Sequence, residues 1–179
     1  MVQSVELLLD DAAEQRFLGD WTSLADAGLA SQARHRSPSN RPHVTLAAVP
    51  ALDATAEDRL ASLLPQALPL PAYAGPVAVF AQDPVVLVRL VVTSRALLEL
   101  QEAVARVVGV PSDSLSAPGR WVPHVTLAHR MPRAQLSEAV GLLPRQDGPL
   151  VLTAARRWDG DARRDWLLAA PGPQTSRTC

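Results

Sequence analysis

Apolar residues fall into short runs separated by polar or proline-rich stretches, and their period alternates between strand-like and helix-like. Residues 5–9 are an apolar run suited to a strand. Asp11 is placed to cap a helix, with Glu14 in a capping-box position. Phe17, Trp21, Leu24 and Gly28 then recur at helical spacing. A polar, basic loop runs from Arg34 to Pro42. His43–Val49 reads as a strand closed by Pro50, and residues 55–64 as a helix with Leu60, Leu63 and Leu64 inward and Pro65 as its stop. The proline-rich residues 68–80 suit an edge strand or a broken one.

The same order then returns. Residues 84–92 form a strongly apolar strand, and Ser94 caps a helix with Leu97, Leu100, Val104 and Val107 on one stripe. Gly109 and Pro111 end that helix. A loop over 112–123 contains Arg120 and Trp121, residues 124–128 read as a strand, and residues 132–143 as a helix. Residues 150–156 and 166–169 suit a hairpin around Asp159 and Gly160, and 171–179 a polar, disordered tail. Strand, helix, polar loop, histidine strand, helix and strand thus occur twice, with His43 and His124 81 residues apart. Repetition of whole units signals duplication. The expected organisation is one α+β domain over residues 1–170 with two pseudo-symmetric lobes.

The two copies share one pentapeptide: Pro42-His43-Val44-Thr45-Leu46 and Pro123-His124-Val125-Thr126-Leu127. Alternation on a strand puts His and Thr on one face and Val and Leu on the other. A twofold relation between the lobes would set both His–Thr pairs across one cleft. Two imidazoles there suit phosphodiester cleavage: a neutral one takes a proton from water, and a protonated one gives a proton to the leaving oxygen. The Thr hydroxyls can donate to non-bridging oxygens, and in-line displacement wants acid and base on opposite sides of phosphorus. One isolated His-Val-Thr-Leu would be an ordinary strand surface; two copies at matching places in a duplicated architecture favour a site.

Composition narrows the alternatives. The chain has 179 residues, 47% hydrophobic content and a formal net charge of −1, so any preference for phosphate must be local. Its 17 basic residues are all Arg, which excludes a Lys nucleophile or Schiff base. The single Cys, Cys179, excludes an internal disulfide and a cysteine metal cluster. No signal peptide or membrane-spanning stretch is evident, so the expected location is cytoplasmic. No metal site is expected, because no third or fourth ligand lies close to either His.

The paired motif is similar to that of the 2H phosphoesterases, defined by two His-x-Thr-x motifs, and within them to the 2′-5′ RNA ligase / RNA cyclic phosphodiesterase branch. The resemblance covers residues 5–169. It implies a bilobal α+β fold with two antiparallel sheets lining a central cleft and helices outside. It also implies hydrolysis of 2′,3′-cyclic phosphates of RNA ends or small nucleotides to 2′-phosphates, with no cofactor. By that resemblance His43 and His124 are acid and base, with His43 favoured as the acid, and Thr45 and Thr126 bind phosphate. Relatives often carry an Arg shortly after the second motif. His129 holds that place here, with Arg130 next; alternation would put Arg130 on the face of His124 and Thr126, and His129 on the other. His129 and His35 are expected to be structural or exposed.

Base recognition needs a stacking surface. Trp121, three residues before His124, is the first candidate, beside a packing role; Tyr73 and Trp158 are weaker ones. Arg34, Arg36 and Arg41 could form a phosphate-attracting rim. The expected partner is a small nucleotide or RNA end bearing a 2′,3′-cyclic phosphate, bound by a monomer. The alternatives are 2′-5′ RNA ligation, the same chemistry reversed, and a non-catalytic nucleotide-binding domain.

Overall fold

The computed structural model describes residues 2–81, 83–145 and 148–170. The expected tail over 171–179 lies outside them. The described chain runs β1 (Gln3–Leu9), α1 (Asp11–Asp26), β2 (His43–Val49), α2 (Ala54–Ala67), β3 (Leu70–Phe80), β4 (Val85–Val92), α3 (Arg95–Val108), β5 (His124–Met131), α4 (Leu136–Leu142), β6 (Gly148–Asp159) and β7 (Arg164–Ala169). Single 3-10 turns, Gln32–Arg34 and Arg133–Gln135, precede β2 and α4.

The α+β class stands. The two expected sheets are the two ends of one antiparallel seven-stranded sheet, in the order β2-β1-β6-β3-β4-β5 with β7 on β6. That order is palindromic: β1, β2 and β6 occupy the places that β4, β5 and β3 occupy on the other side. Each half of the chain therefore gives its last strand to the other half's sheet. A ladder from Leu70↔Leu152 to Ala74↔Gly148 joins the two ends.

The repeat holds residue by residue. Glu6 lies opposite Thr45 and Val88 opposite Thr126. Beside each motif the ladder slips at the same point: Val5↔Ala47 is followed by Glu6↔Thr45, and Leu87↔Ala128 by Val88↔Thr126. Each slip leaves one extra residue, Leu46 or Leu127, as a β-bulge. The result is two consecutive buried residues in each strand, Leu46–Ala47 and Leu127–Ala128.

Several local expectations shift. The cap of α1 is Asp10, which accepts from the Ala13 N–H and the Val151 N–H; Asp11 is already the first helical residue. Pro65 lies inside the last turn of α2, which runs on to Ala67. Strand β3 is interior, contrary to the edge placement that its prolines suggested. Its first half pairs mainly with β6 and its second mainly with β4, and the ladder to β4 breaks between Ala74 and Val77, around Pro76. A proline is tolerated where only one side of a strand is hydrogen-bonded. The caps of α3 are as expected: Ser94 accepts from the Leu97 N–H at 3.1 Å, and Gly109 takes the left-handed conformation at φ 69°.

Candidate active site

His43 opens β2 and His124 opens β5, the outermost strands of the sheet path, yet these two strands lie close beside each other. The sheet curls until its edges approach. Two tryptophans tie the approach together. The indole N–H of Trp121, in the loop before β5, donates to the carbonyl of Thr45 at 2.8 Å. That of Trp21, on α1, donates to the carbonyl of Thr126 at 3.0 Å. The backbone of each motif threonine is thus held from the other half of the chain. Gln101 of α3 adds a bond to the carbonyl of Leu46 at 3.3 Å.

Trp121, expected as a stacking candidate beside a packing role, is half-buried against the core with its N–H used. Trp121→Phe should cost about 1–3 kcal/mol, the penalty of a stranded buried carbonyl. Urea denaturation checks this; unchanged stability would contradict the tie.

Both imidazoles are anchored alike. His43 Nδ1 lies 2.7 Å from the carbonyl of Arg41, and His124 Nδ1 lies 2.7 Å from that of Val122. A carbonyl only accepts, so each Nδ1 carries hydrogen, and Nε2 is the atom of each ring that can gain or lose a proton.

Beyond these anchors the halves differ. A buried carboxylate oxygen of Glu6 lies 3.6 Å from His43 Nε2. Glu6 also accepts from Arg156 Nε at 2.8 Å and from the Ser4 hydroxyl at 2.7 Å. Burial alone would raise the Glu6 carboxyl, but His43, Arg156 and Ser4 outweigh it and hold it below the usual carboxylate range. The ladders give the matching positions around His124: Val88 for Glu6, Ala78 for Arg156, and Phe80 for Trp158. The ion pair becomes two apolar residues, and Phe80 meets His124 edge-on with ring centroids 4.8 Å apart. Burial lowers the pKa of His124, and a charged His43 lowers it further, against the bond to Val122, which raises it.

Arg130 and His129 exchange their expected places. The bulge at Leu127 reverses alternation, so Ala128 turns into the core and His129 comes to the face of His124 and Thr126. Arg130 sits at φ 53°, exposed, at a second slip in the ladder. His129 lines a cavity of about 270 Å³ with Glu6, Gln32, His35, His43 and Trp158, among others. Its pKa is lowered by partial desolvation and by the neighbouring His124, His43, His35 and Arg130. His35, expected to be structural or exposed, lines the same cavity. Two members of the expected arginine rim are otherwise engaged: Arg41 with Glu14, and Arg34 with the carbonyl of Ala25. Among the described residues no group of three or more His, Cys, Asp or Glu is placed to hold a metal ion, and no helix is long and apolar enough to cross a membrane.

The chain belongs to the 2′-5′ RNA ligase superfamily, the 2H phosphoesterases, whose family model matches residues 9–161. Among solved structures, apo LigT of E. coli superposes with a TM-score of 0.60 at 13% identity, over 96% of this chain and 98% of that one. LigT complexed with 3′-AMP gives 0.57 at 14% identity, over 92% and 91%. Kluyveromyces marxianus Usb1 with uridine monophosphate gives 0.51 at 14% identity, over 94% and 97%. At these identities the likeness shows the fold. No curated protein matches the chain by sequence. Membership of this superfamily supports a phosphoesterase or RNA-processing role, of hydrolase type.

Proposed function

We propose that the protein hydrolyses 2′,3′-cyclic phosphates of RNA ends or small nucleotides to 2′-phosphates without a metal, with His43 as general acid and His124 as general base. One observation carries the polarity: His43 Nε2 faces the Glu6 carboxylate at 3.6 Å, while the matching position beside His124 is Val88. A proton on His43 has a counter-ion. Among the described residues, none is placed to serve a proton on His124.

In this reading neutral His124 takes a proton from water through Nε2 as the water oxygen bonds to phosphorus. The bond from phosphorus to the 3′ oxygen breaks, and that oxygen receives the proton of His43 Nε2. Charge gathering on the non-bridging oxygens is met by the hydroxyls of Thr45 and Thr126. The product carries a 2′-phosphate and a free 3′-hydroxyl. A 2′-5′ ligation would run through the same groups in reverse.

Incubating a 2′,3′-cyclic mononucleotide with the protein and separating the products tests the activity. The 2′-phosphate is expected; a 3′-phosphate, or unchanged substrate, would overturn the proposal. The pH–rate profile carries a further expectation. A base must be neutral, and His124 is held below the ordinary imidazole value of about 6.5. The acidic limb of kcat/KM should therefore have its midpoint below that value, and a chelator should leave the rate unchanged. An acidic limb centred above it, or loss of activity in EDTA, would contradict the assignment.

A further inference from the structure

A second cavity, of about 580 Å³, is lined by Val2, His35, Ser37, Trp158, Gly160 and Arg163. It shares His35 and Trp158 with the cavity around His43. Taken together, the adjoining cavities trace a path from His43 past Trp158 and His35 to Gly160 and Arg163 beside the β6–β7 turn.

The wall of this path is built. Asn40 Nδ2 donates to the carbonyls of Gln32 at 2.9 Å and His35 at 3.0 Å, and the hydroxyls of Ser37 and Ser39 lie 2.7 Å apart. Arg156 Nη1 donates to the carbonyl of Ser39 at 2.8 Å, which fastens the loop to the sheet. His35 Nδ1 accepts from the Ser37 N–H at 3.4 Å, which leaves Nε2–H as a donor.

Arg163 supplies a cation at the far end of the path, on the same turn as the carboxylates of Asp159 and Asp161, which are held in place by hydrogen bonds. Glu6 is engaged by Arg156 and Ser4, and Asp159 accepts from Gln3 and the N–H groups of Asp161 and Ala162. Asp161 accepts from Gln3 at 2.9 Å. Arg163 is exposed on the turn between β6 and β7, at φ 54°. At the place in the other half that matches Trp158, Phe80 is spent on an edge contact with His124, so the path has its ring platform on one side of the site alone.

We infer that this path is a two-nucleotide groove: the near cavity takes the terminal nucleoside, Trp158 and His35 stack on bases, and the far cavity takes the preceding nucleotide with its linking phosphate toward Arg163. Trp158, His35 and Arg163 are then the residues that set a preference for an RNA end over a mononucleotide. This inference rests on the proposed activity, and its test separates the two.

The kcat/KM of a dinucleotide ending in a 2′,3′-cyclic phosphate should exceed that of the matching cyclic mononucleotide roughly tenfold or more, the scale of one added base–aromatic stack. Trp158→Leu and Arg163→Asn should each bring this ratio toward one; Asn removes the charge and tolerates the positive φ. Arg163→Asn is an exposed turn change and keeps the test open should Trp158→Leu fold poorly. Titration of a dinucleotide 2′-phosphate, followed by calorimetry, should show weaker binding in both variants. The slope of log Kd against log salt should flatten by about 0.7 in Arg163→Asn, the share of one phosphate contact on a single strand. Equal wild-type kcat/KM for the two substrates, or a ratio and a Kd unmoved by both substitutions, overturns the groove and leaves the activity standing. Weakened dinucleotide binding with neither substrate turned over supports the groove and overturns the activity.

Discussion

His43→Ala and His124→Ala each lower kcat on a 2′,3′-cyclic nucleotide by about 10²–10⁴, the usual contribution of a positioned general acid or base. Both rings are anchored by a backbone carbonyl 2.7 Å from Nδ1, so each alanine removes a preset proton carrier with little effect on the strands around it. The two variants should differ in one respect. An aryl phosphodiester whose phenolate leaves without protonation should recover much of its rate in His43→Ala and little in His124→Ala, because it still needs a base. Near-wild-type turnover in either alanine variant would end the acid–base assignment. Rescue of His124→Ala alone would reverse its polarity.

Arg156→Met should destabilise the fold by about 3–5 kcal/mol, because it leaves Glu6 buried beside His43 with its nearest counter-ion gone. Asp165, 3.0 Å from Arg156 Nη1, loses its partner as well. Adding Glu6→Leu should recover most of the loss, since the matching place in the other half is already apolar, Val88 beside Ala78. The pH dependence has a definite sign. Glu6 is held below the usual carboxylate range in the fold, so its contribution is present above the unfolded value, about 4.3, and fades as pH falls through the folded one. The double variant should lack that acid component. Denaturant titrations at several pH values test this; a double variant as unstable as Arg156→Met would contradict the pairing.

Local signals were legible where one segment carried its own answer. The stripe of α3, its Ser94 cap and its Gly109 end needed no partner. The two histidine strands and the duplication were equally plain in the repeated pentapeptide. The crossing of β3 and β6 was not, because each pairs with strands of the other half and no local pattern records that. The identity of Leu46-Ala47 and Leu127-Ala128 was the visible trace of the bulges, yet strict alternation passed over it and put Arg130 where His129 belongs. Glu6 and Arg89 were each lone charges in apolar strand runs, a pattern that calls for a buried partner; Arg156, next to Arg157, carried no such mark. Arg89 finds Asp20 at 3.2 Å, and Arg156 finds Glu6. Those pairings span distant segments, so the asymmetry between the two histidines emerged only with the sheet register.

The shared site itself is tested by following the side-chain nitrogen resonances of both histidines while a nucleoside 2′-phosphate is added. His43 and His124 should both shift, along curves that fit a single Kd. Movement of one ring alone, or of the two with unrelated affinities, would mean that they do not hold the same phosphate.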